Sequence, residues 1–445
     1  MKKLLIVIVT VFSSGFAMLH AGGIESLEVS FSELSTVKLS KIQQGDIYIP
    51  APSAVMPGSA SRKTGPQADA DAVINSLTDA QWNLILNSQP WESSDDPGIS
   101  KGLYSNYHTR YIVKGKISFN TNPPTFITET DKIFIVTKYP KWLKKVGDVT
   151  ICVEGYAKQQ DDTSEFVIKK MLPLSAFDES VPSAEIRDME RDPYIISHNS
   201  ASYELGNVSW NLAHSDDGKK LTDSYGNFVT VWQTGVVVRP ELLESAYFVK
   251  KVMHKPVKYA NHGLLMFKFK PGGVVSPDGQ QSHGIAVSMD VYHKDPAHMS
   301  NSVKEAFKGK YLVYYSVQTI ERYTEFKISN TDAVGLPETL ILYPLAIDRG
   351  QQLQLLDNVI RKATDNHVGE RYSPLDNSCT NAILSLINGV LNDDQKIKSG
   401  WLPEIIYRFR TTLPDAVAAL LIKKGITGKP LPKVTAANYQ HAYDF

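Results

Sequence analysis

A chain of 445 residues in which 47 Lys and Arg balance 47 Asp and Glu carries no formal net charge at neutral pH. It lacks the basic excess with which proteins track phosphate backbones, so its charge excludes nucleic acid as an expected partner. Its 42% hydrophobic content is that of an ordinary globular protein, and its length exceeds what one core normally organises, so two or three domains are expected.

The chain opens on "MKKLLIVIVTVFSSGFAMLHA", with a Lys2-Lys3 start, an apolar run from Leu4 to Phe12, and small residues at Gly15, Ala17 and Ala21. That pattern predicts an export signal over residues 1–21, and hence a periplasmic or secreted protein with a bacterial look. Lipid attachment at the cleavage site needs a cysteine there, and the first in the chain is Cys152. No later apolar segment has the length a bilayer requires, so no transmembrane segment is expected in the mature chain. Residues 22–70 read as an N-terminal arm and linker, ending in the Pro-, Ser- and Gly-rich "IPAPSAVMPGSASRKTGPQADA". A helical segment, "DAVINSLTDAQWNLILNS", precedes the strand-like runs "RYIVKGKISF", "TDKIFIVTKY" and "GDVTICVEGYA". Residues 71–224 are accordingly expected to form a mainly β N-terminal domain, whose polar stretch from Asp178 to Asp223 reads as connection or insertion.

From Tyr225 the texture changes. "ESAYFVKKV", "NHGLLMFKFK", "HGIAVSMDVYH" and "KYLVYYSVQTI" are strand candidates, the second and third joined through the turn signals "PGG" and "SPDGQQ". Helices follow. "DRGQQLQLLDNVIRKATDN" carries an apolar stripe, and Asp348 with Gln351 three residues on forms a capping-box pattern. "PDAVAALLIKKGI" reads as a short helix stopped by Gly425. Strands followed by helices argue for an α+β domain over residues 225–445.

Within it stands "YSPLDNSCTNAILSLINGVL", from Tyr372. Ile383, Leu384, Leu386, Ile387, Val390 and Leu391 share one helical face, and Asn377 or Ser378 serves as N-cap. Cys379 therefore falls in the first turn, on the buried side, where free N–H groups and the positive helix end favour a thiolate and lower its pKa. The same N–H groups suit an oxyanion. A thiol nucleophile needs a base, usually histidine. His262 and His283 each open a strand of the proposed hairpin, so one imidazole is expected to face the thiol while a polar residue on the neighbouring strand orients it. His283, with Asp290 behind it, is the first candidate for that orienting role.

The order of strand-borne His, hairpin, helix, then "Y-x-x-L-x-N-x-C-T" resembles the Lnb N-terminal periplasmic domain family. The resemblance covers about residues 240–392 and is carried by "LESAYFVKK", "NHGLLMFKF", "LILYPLAIDRGQQLQLL" and "RYSPLDNSCTNAI". The family's motif commonly has Asn directly before the Cys; here Ser378 stands there and Asn377 one place back. A similar His-before-Cys order occurs in circularly permuted papain-like enzymes, so the resemblance implies a papain-like C-terminal domain with an antiparallel sheet and helices. It also implies acyl-enzyme chemistry with Cys379 as nucleophile and His262 as general base. The implied activity is a thiol-dependent amidase, peptidase or acyltransferase of the cell envelope, acting on a peptide, amide or lipid. No cofactor is expected.

Blander readings compete. In an exported chain Cys379 can pair with Cys152 in a disulfide, although Cys152 lies mid-strand in the other proposed domain. His262 can be a hydrogen-bonded, inert residue at a strand start, and His283 a structural one. His254, His262, His283, His293 and His298 invite a metal, but no pair has the helical spacing of H-E-x-x-H, and none is expected. "ESSDDPGIS" and "SDDGKKLTDSYGN" lack EF-hand spacing and read as solvated turns. "YLVYYSVQTIERY" reads as a half-buried strand or as the lining of a groove for an acyl chain or sugar. The alternative for the whole protein is a non-catalytic envelope binding or scaffold protein that keeps the fold.

Overall fold

A computed structural model describes residues 109–145, 149–160, 163–178, 190–223, 228–252, 261–292, 309–329, 338–374, 377–397 and 411–439, together with Val181 and Ala306. The predicted signal, the arm and linker, and the first helical segment lie outside the described residues, as do His254, His293 and His298.

Five strands, β1 (Thr109–Ser118), β2 (Thr125–Thr128), β3 (Ile133–Lys138), β4 (Ile151–Gln160) and β5 (Thr163–Leu172), close on themselves. β1 pairs with β2 and β4, β2 with β3, and β4 with β5, all antiparallel; β3 and β5 close the ring as a parallel pair. This is the connectivity of the five-stranded Greek-key barrel of OB-folds. One strand must then serve two neighbours, and β1 turns from β4 to β2 at Gly115, where a Cβ would lie 2.1 Å from the Ile127 carbonyl oxygen. Only glycine allows that approach. Alternation along β1 sends Tyr111, Val113 and Ile117 inward. They join Phe126, Phe134 and Phe166, whose rings fill the barrel, Phe134 stacking on Phe166 at 4.5 Å.

The chain continues through β6 (Tyr194–His198), β7 (Tyr203–Gly206), β8 (Val208–Leu212), β9 (Thr230–Gln233), β10 (Val236–Val238), β11 (Leu243–Val252), β12 (His262–Phe269), β13 (Val274–Val275), β14 (Gln281–Ser282), β15 (Gly284–Tyr292) and β16 (Leu312–Thr319). After the helix α1 (Ile320–Ser329) come β17 (Thr339–Pro344), α2 (Arg349–Ala363), β18 (Glu370–Arg371), α3 (Cys379–Val390) and α4 (Pro414–Lys423). The central sheet runs β17-β11-β12-β15-β16 with antiparallel neighbours, and β18 links it to β1 of the barrel. A second small sheet runs β14-β13-β10-β7-β6.

The fold is thus mixed α+β. All four strand candidates of the C-terminal half form strands, but "YLVYYSVQTIERY" divides: β16 ends at Thr319, whose Oγ1 accepts the Arg322 N–H at 3.1 Å as α1 begins. The expected division at residue 224 falls inside a hairpin, since Val208 pairs with Gln233, and β8 also pairs with β16. The polar stretch after Asp178 therefore contributes short strands to the C-terminal sheets; strands of four or five residues are too short for alternation to reveal them.

β12 and β15 are buried along nearly their whole length because helices lie against them, which is why they read as continuous apolar runs rather than alternating ones. α2 begins with the anticipated box: Gln351 N–H donates to Asp348 Oδ1 at 2.8 Å, and Asp348 N–H donates to Gln351 Oε1 at 3.1 Å. Asp348→Ala is expected to lower stability by about 1 kcal/mol in urea unfolding, and an unchanged midpoint would show that the box contributes nothing.

Candidate active site

α3 starts where the apolar stripe predicts. Ser378, with φ −98° and ψ 163°, is the N-cap and accepts the Asn381 N–H at 3.3 Å. The turn before it is tied by Asn377 N–H to Ser373 O at 2.9 Å and Ser373 N–H to Asn377 O at 3.2 Å. The Asn377 side chain donates to Glu370 Oε1 at 2.9 Å and to Arg371 O at 3.2 Å. Asn377 thus positions the loop by facing Glu370. Cys379 itself is only 9% exposed.

The helix start lies against the first residues of β12. A Cβ at Gly263 would sit 3.4 Å from Thr380 Oγ1. β12 pairs with β15 only from Leu265 onward, and the Gly263 N–H is directed to the Cys379 sulfur, which also meets Thr380 Oγ1 at 3.7 Å. His262, adjacent to Gly263, turns its Nε2 to Ser288 Oγ at 2.7 Å and Asp290 Oδ1 at 3.5 Å on β15. Behind them runs a buried chain: Ser316 donates to Asp290 Oδ2 at 3.1 Å, Gln318 to Ser316 at 2.7 Å, and Arg322 to Gln318 at 2.5 Å. Lys251, opposite His262 on β11, pairs with Glu338 at 3.2 Å.

Burial governs the protonation of the pair. It pushes the His262 pKa down to about 3, with Lys251 and Lys327 adding to the fall and Asp290 opposing it. It also pushes the Cys379 thiol up, against the pull of the Gly263 N–H and the Thr380 hydroxyl and with the Asp290 charge adding to the rise. The expected lowering of the thiol pKa is therefore reversed. A helix N-terminus stabilises a thiolate by a fraction of what complete burial removes. The resting pair is a neutral thiol and a neutral imidazole. Lys327, also buried, is lowered to about 7 by desolvation, with Lys251 adding to the fall.

The structure does not bring His283 to this place. The hairpin register ends at Lys268 opposite Gly284, so His283 lies at the far end from His262, half exposed, its Nδ1 2.6 Å from Glu321 Oε1. The reason is topological: residues that open the two strands of an antiparallel hairpin stand at opposite ends of it. Asp290 does meet His262, and Ser288 meets it more closely. The signal for both was present, because Ser288 and Asp290 sit two apart in an otherwise apolar strand and so share one face. Cys152 and Cys379 are both free and buried; Cys152 lies within β4, its pKa raised to about 11 by burial. Among the described residues no group of three or more His, Cys, Asp or Glu is arranged to hold a metal ion.

The helix-start cysteine, the histidine at the head of β12 and the sheet between them lie within one stretch that a family model recognises. Residues 233–411 match the Lnb N-terminal periplasmic domain. No curated protein and no solved structure matches the chain. The matched stretch begins at the end of β9 and takes in Cys379, His262, Ser288 and Asp290, while the barrel lies before it. That match fits a periplasmic or secreted protein. Among the described residues no helix is long and apolar enough to cross a membrane.

Proposed function

We propose that the Lnb domain is a papain-like, thiol-dependent acyl-transfer enzyme of the cell envelope. The observation that carries this reading is the contact between the Cys379 sulfur and the backbone N–H of Gly263, the residue after His262, whose imidazole is held by Ser288 and Asp290. His262 Nε2 carries the proton shared with those acceptors, and Nδ1 takes the thiol proton. Sulfur then attacks a carbonyl carbon, N–H groups at the start of α3 receive the oxyanion, and the leaving amine or alkoxide departs with the proton His262 had taken. Water or a second nucleophile releases the acyl group from sulfur. Because both resting groups are neutral, proton transfer accompanies attack rather than preceding it.

The test is acylation by p-nitrophenyl acetate, followed by mass spectrometry of the intact protein and its peptides. A single acetyl group on Cys379 is expected, absent in Cys379→Ala and forming about a hundredfold more slowly in His262→Ala, the usual worth of a general base. Acylation no faster than that of a free thiol would favour a second reading. That reading, a non-catalytic envelope binding or scaffold protein, draws its support from the depth at which the neutral pair is buried.

A further inference from the structure

A neutral imidazole carries one hydrogen, and the nitrogen that bears it cannot act as the base. At His262 the choice lies with the groups facing Nε2, Ser288 Oγ at 2.7 Å and Asp290 Oδ1 at 3.5 Å. Asp290 is itself one end of the buried chain through Ser316, Gln318 and Arg322. A chain of amide and hydroxyl alone has two directions, because the amide can turn over and the hydroxyl hydrogen can rotate. Arg322 removes one of them. A guanidinium only donates, so Gln318 faces it with Oε1 at 2.5 Å and turns Nε2 to Ser316 Oγ at 2.7 Å. The Ser316 hydrogen is then left for Asp290 Oδ2, at 3.1 Å. Linked hydrogen bonds polarise one another, so the cation at the far end keeps Asp290 the carboxylate that accepts the Nε2 hydrogen.

The fold secures that cation from outside the site. Arg322 donates its second NH2 to Thr230 Oγ1 at 2.7 Å on β9, and its guanidinium lies 4.4 Å from the centre of the Phe326 ring. Its backbone N–H goes to Thr319 Oγ1, whose own hydrogen goes to the Trp210 carbonyl on β8 at 2.6 Å. Trp210 and Thr230 precede residue 233, so the support of the imidazole reaches ahead of the matched stretch. We infer that Arg322 is a positioning residue for His262: through Gln318 and Ser316 it holds Asp290 as an acceptor, fixes the resting hydrogen on Nε2, and leaves Nδ1 free to take the thiol proton. The inference rests on Cys379 being the reactive thiol and His262 its base, and adds to them a residue that the three intervening side chains connect to the imidazole. During the reaction the thiol proton goes to Nδ1 and from there to the leaving group, while the Nε2 hydrogen stays on the ring.

The test reads the His262 tautomer directly, by long-range proton–nitrogen correlation NMR of the full chain labelled with 15N-histidine at neutral pH, the His262 signals being those lost in His262→Gln. Wild type is expected to carry the hydrogen on Nε2. Arg322→Met leaves Gln318 free to turn over, and the ring should then populate both tautomers; acetylation of Cys379 by p-nitrophenyl acetate should slow about tenfold, part of what a general base contributes. Arg322→Lys still donates to Gln318 Oε1 and should restore both the tautomer and the rate, which a role confined to packing would not predict. Should Arg322→Met fail to fold, Ser316→Ala cuts the same chain next to Asp290 and should mix the tautomers in the same way. A wild-type hydrogen on Nδ1, or a tautomer and a rate that ignore the variants, overturns the assignment of Arg322 while leaving the thiol reading standing. A tautomer that follows the variants in a protein whose Cys379 takes no acetyl group overturns the thiol reading, and the positioning role with it.

Discussion

Replacing Glu370 with Ala is expected to lower the stability of the protein by about 3–5 kcal/mol, the range found when one member of a buried ionic cluster is removed. Glu370 is fully buried and accepts from Tyr111 Oη at 2.9 Å, His367 Nδ1 at 2.7 Å and Asn377 Nδ2 at 2.9 Å. Burial alone would raise its pKa, but Lys362, His367 and Lys132 outweigh that and hold the carboxyl well below the usual carboxylate range. The three donors come from three places: the barrel, the loop after α2, and the turn before Cys379. Around them, Ile112 N–H donates to Gly369 O at 3.0 Å, and Lys132 reaches Asp365 Oδ2 and Asn366 O, both at 2.7 Å. One carboxylate therefore fastens the barrel to the turn that presents the thiol. Glu370→Gln, which keeps two polar atoms of the same shape, should cost less, about 1–3 kcal/mol. Tyr111→Phe removes a single hydrogen bond to a charged group and should cost about 1.5–3 kcal/mol. Urea unfolding followed by far-UV circular dichroism measures all three; a loss below about 1 kcal/mol in Glu370→Ala would mean that the surrounding donors find other partners without it.

The helix behind Cys379, its capping, the box at Asp348 and the stop at Gly425 were legible because each is written in neighbouring residues: an apolar stripe, a Ser or Asp at the right offset, a glycine beyond the end. The strands of the hairpin were legible for the same reason. What local pattern does not carry is which strand ends meet. His283 looked as eligible as His262 because both open strands, and only the antiparallel register separates them. The closure of the barrel was equally hidden, since the parallel β3–β5 pair and the bend at Gly115 depend on residues far apart in the chain. The protonation state of the pair was misread because local sequence reports the helix N-terminus but not the depth at which it lies. Glu370, which holds the Asn377 side chain, stands 259 positions from its other partner Tyr111, so no local pattern could join them.

Acidification from pH 7 to pH 4.5 is expected to destabilise the protein through His262 by about 2–3 kcal/mol, at 1.36 kcal/mol for each unit over which only the unfolded imidazole is protonated. The sign follows from the direction of the shift. Unfolded, His262 titrates near an ordinary pKa of about 6.5; folded, burial holds it down to about 3. Between those values the unfolded chain binds one proton more than the folded one, so stability is complete above the unfolded pKa and falls as the pH drops toward the folded one. The groups that set the shift come from every side of the ring: Lys251 on β11 and Lys327 on α1 add to the lowering, and Asp290 on β15 opposes it. His262→Gln removes the titration while retaining a polar side chain, and its stability curve should run about 2–3 kcal/mol flatter than wild type across that interval. Above pH 7 the two curves should run parallel, because neither side chain then gains a proton on unfolding. Equal slopes below pH 6.5 would mean that the folded imidazole takes up a proton after all. Asp290 would then hold it as an imidazolium, and Asp290→Asn should restore the steep acid loss by removing the neighbouring charge that favours that form.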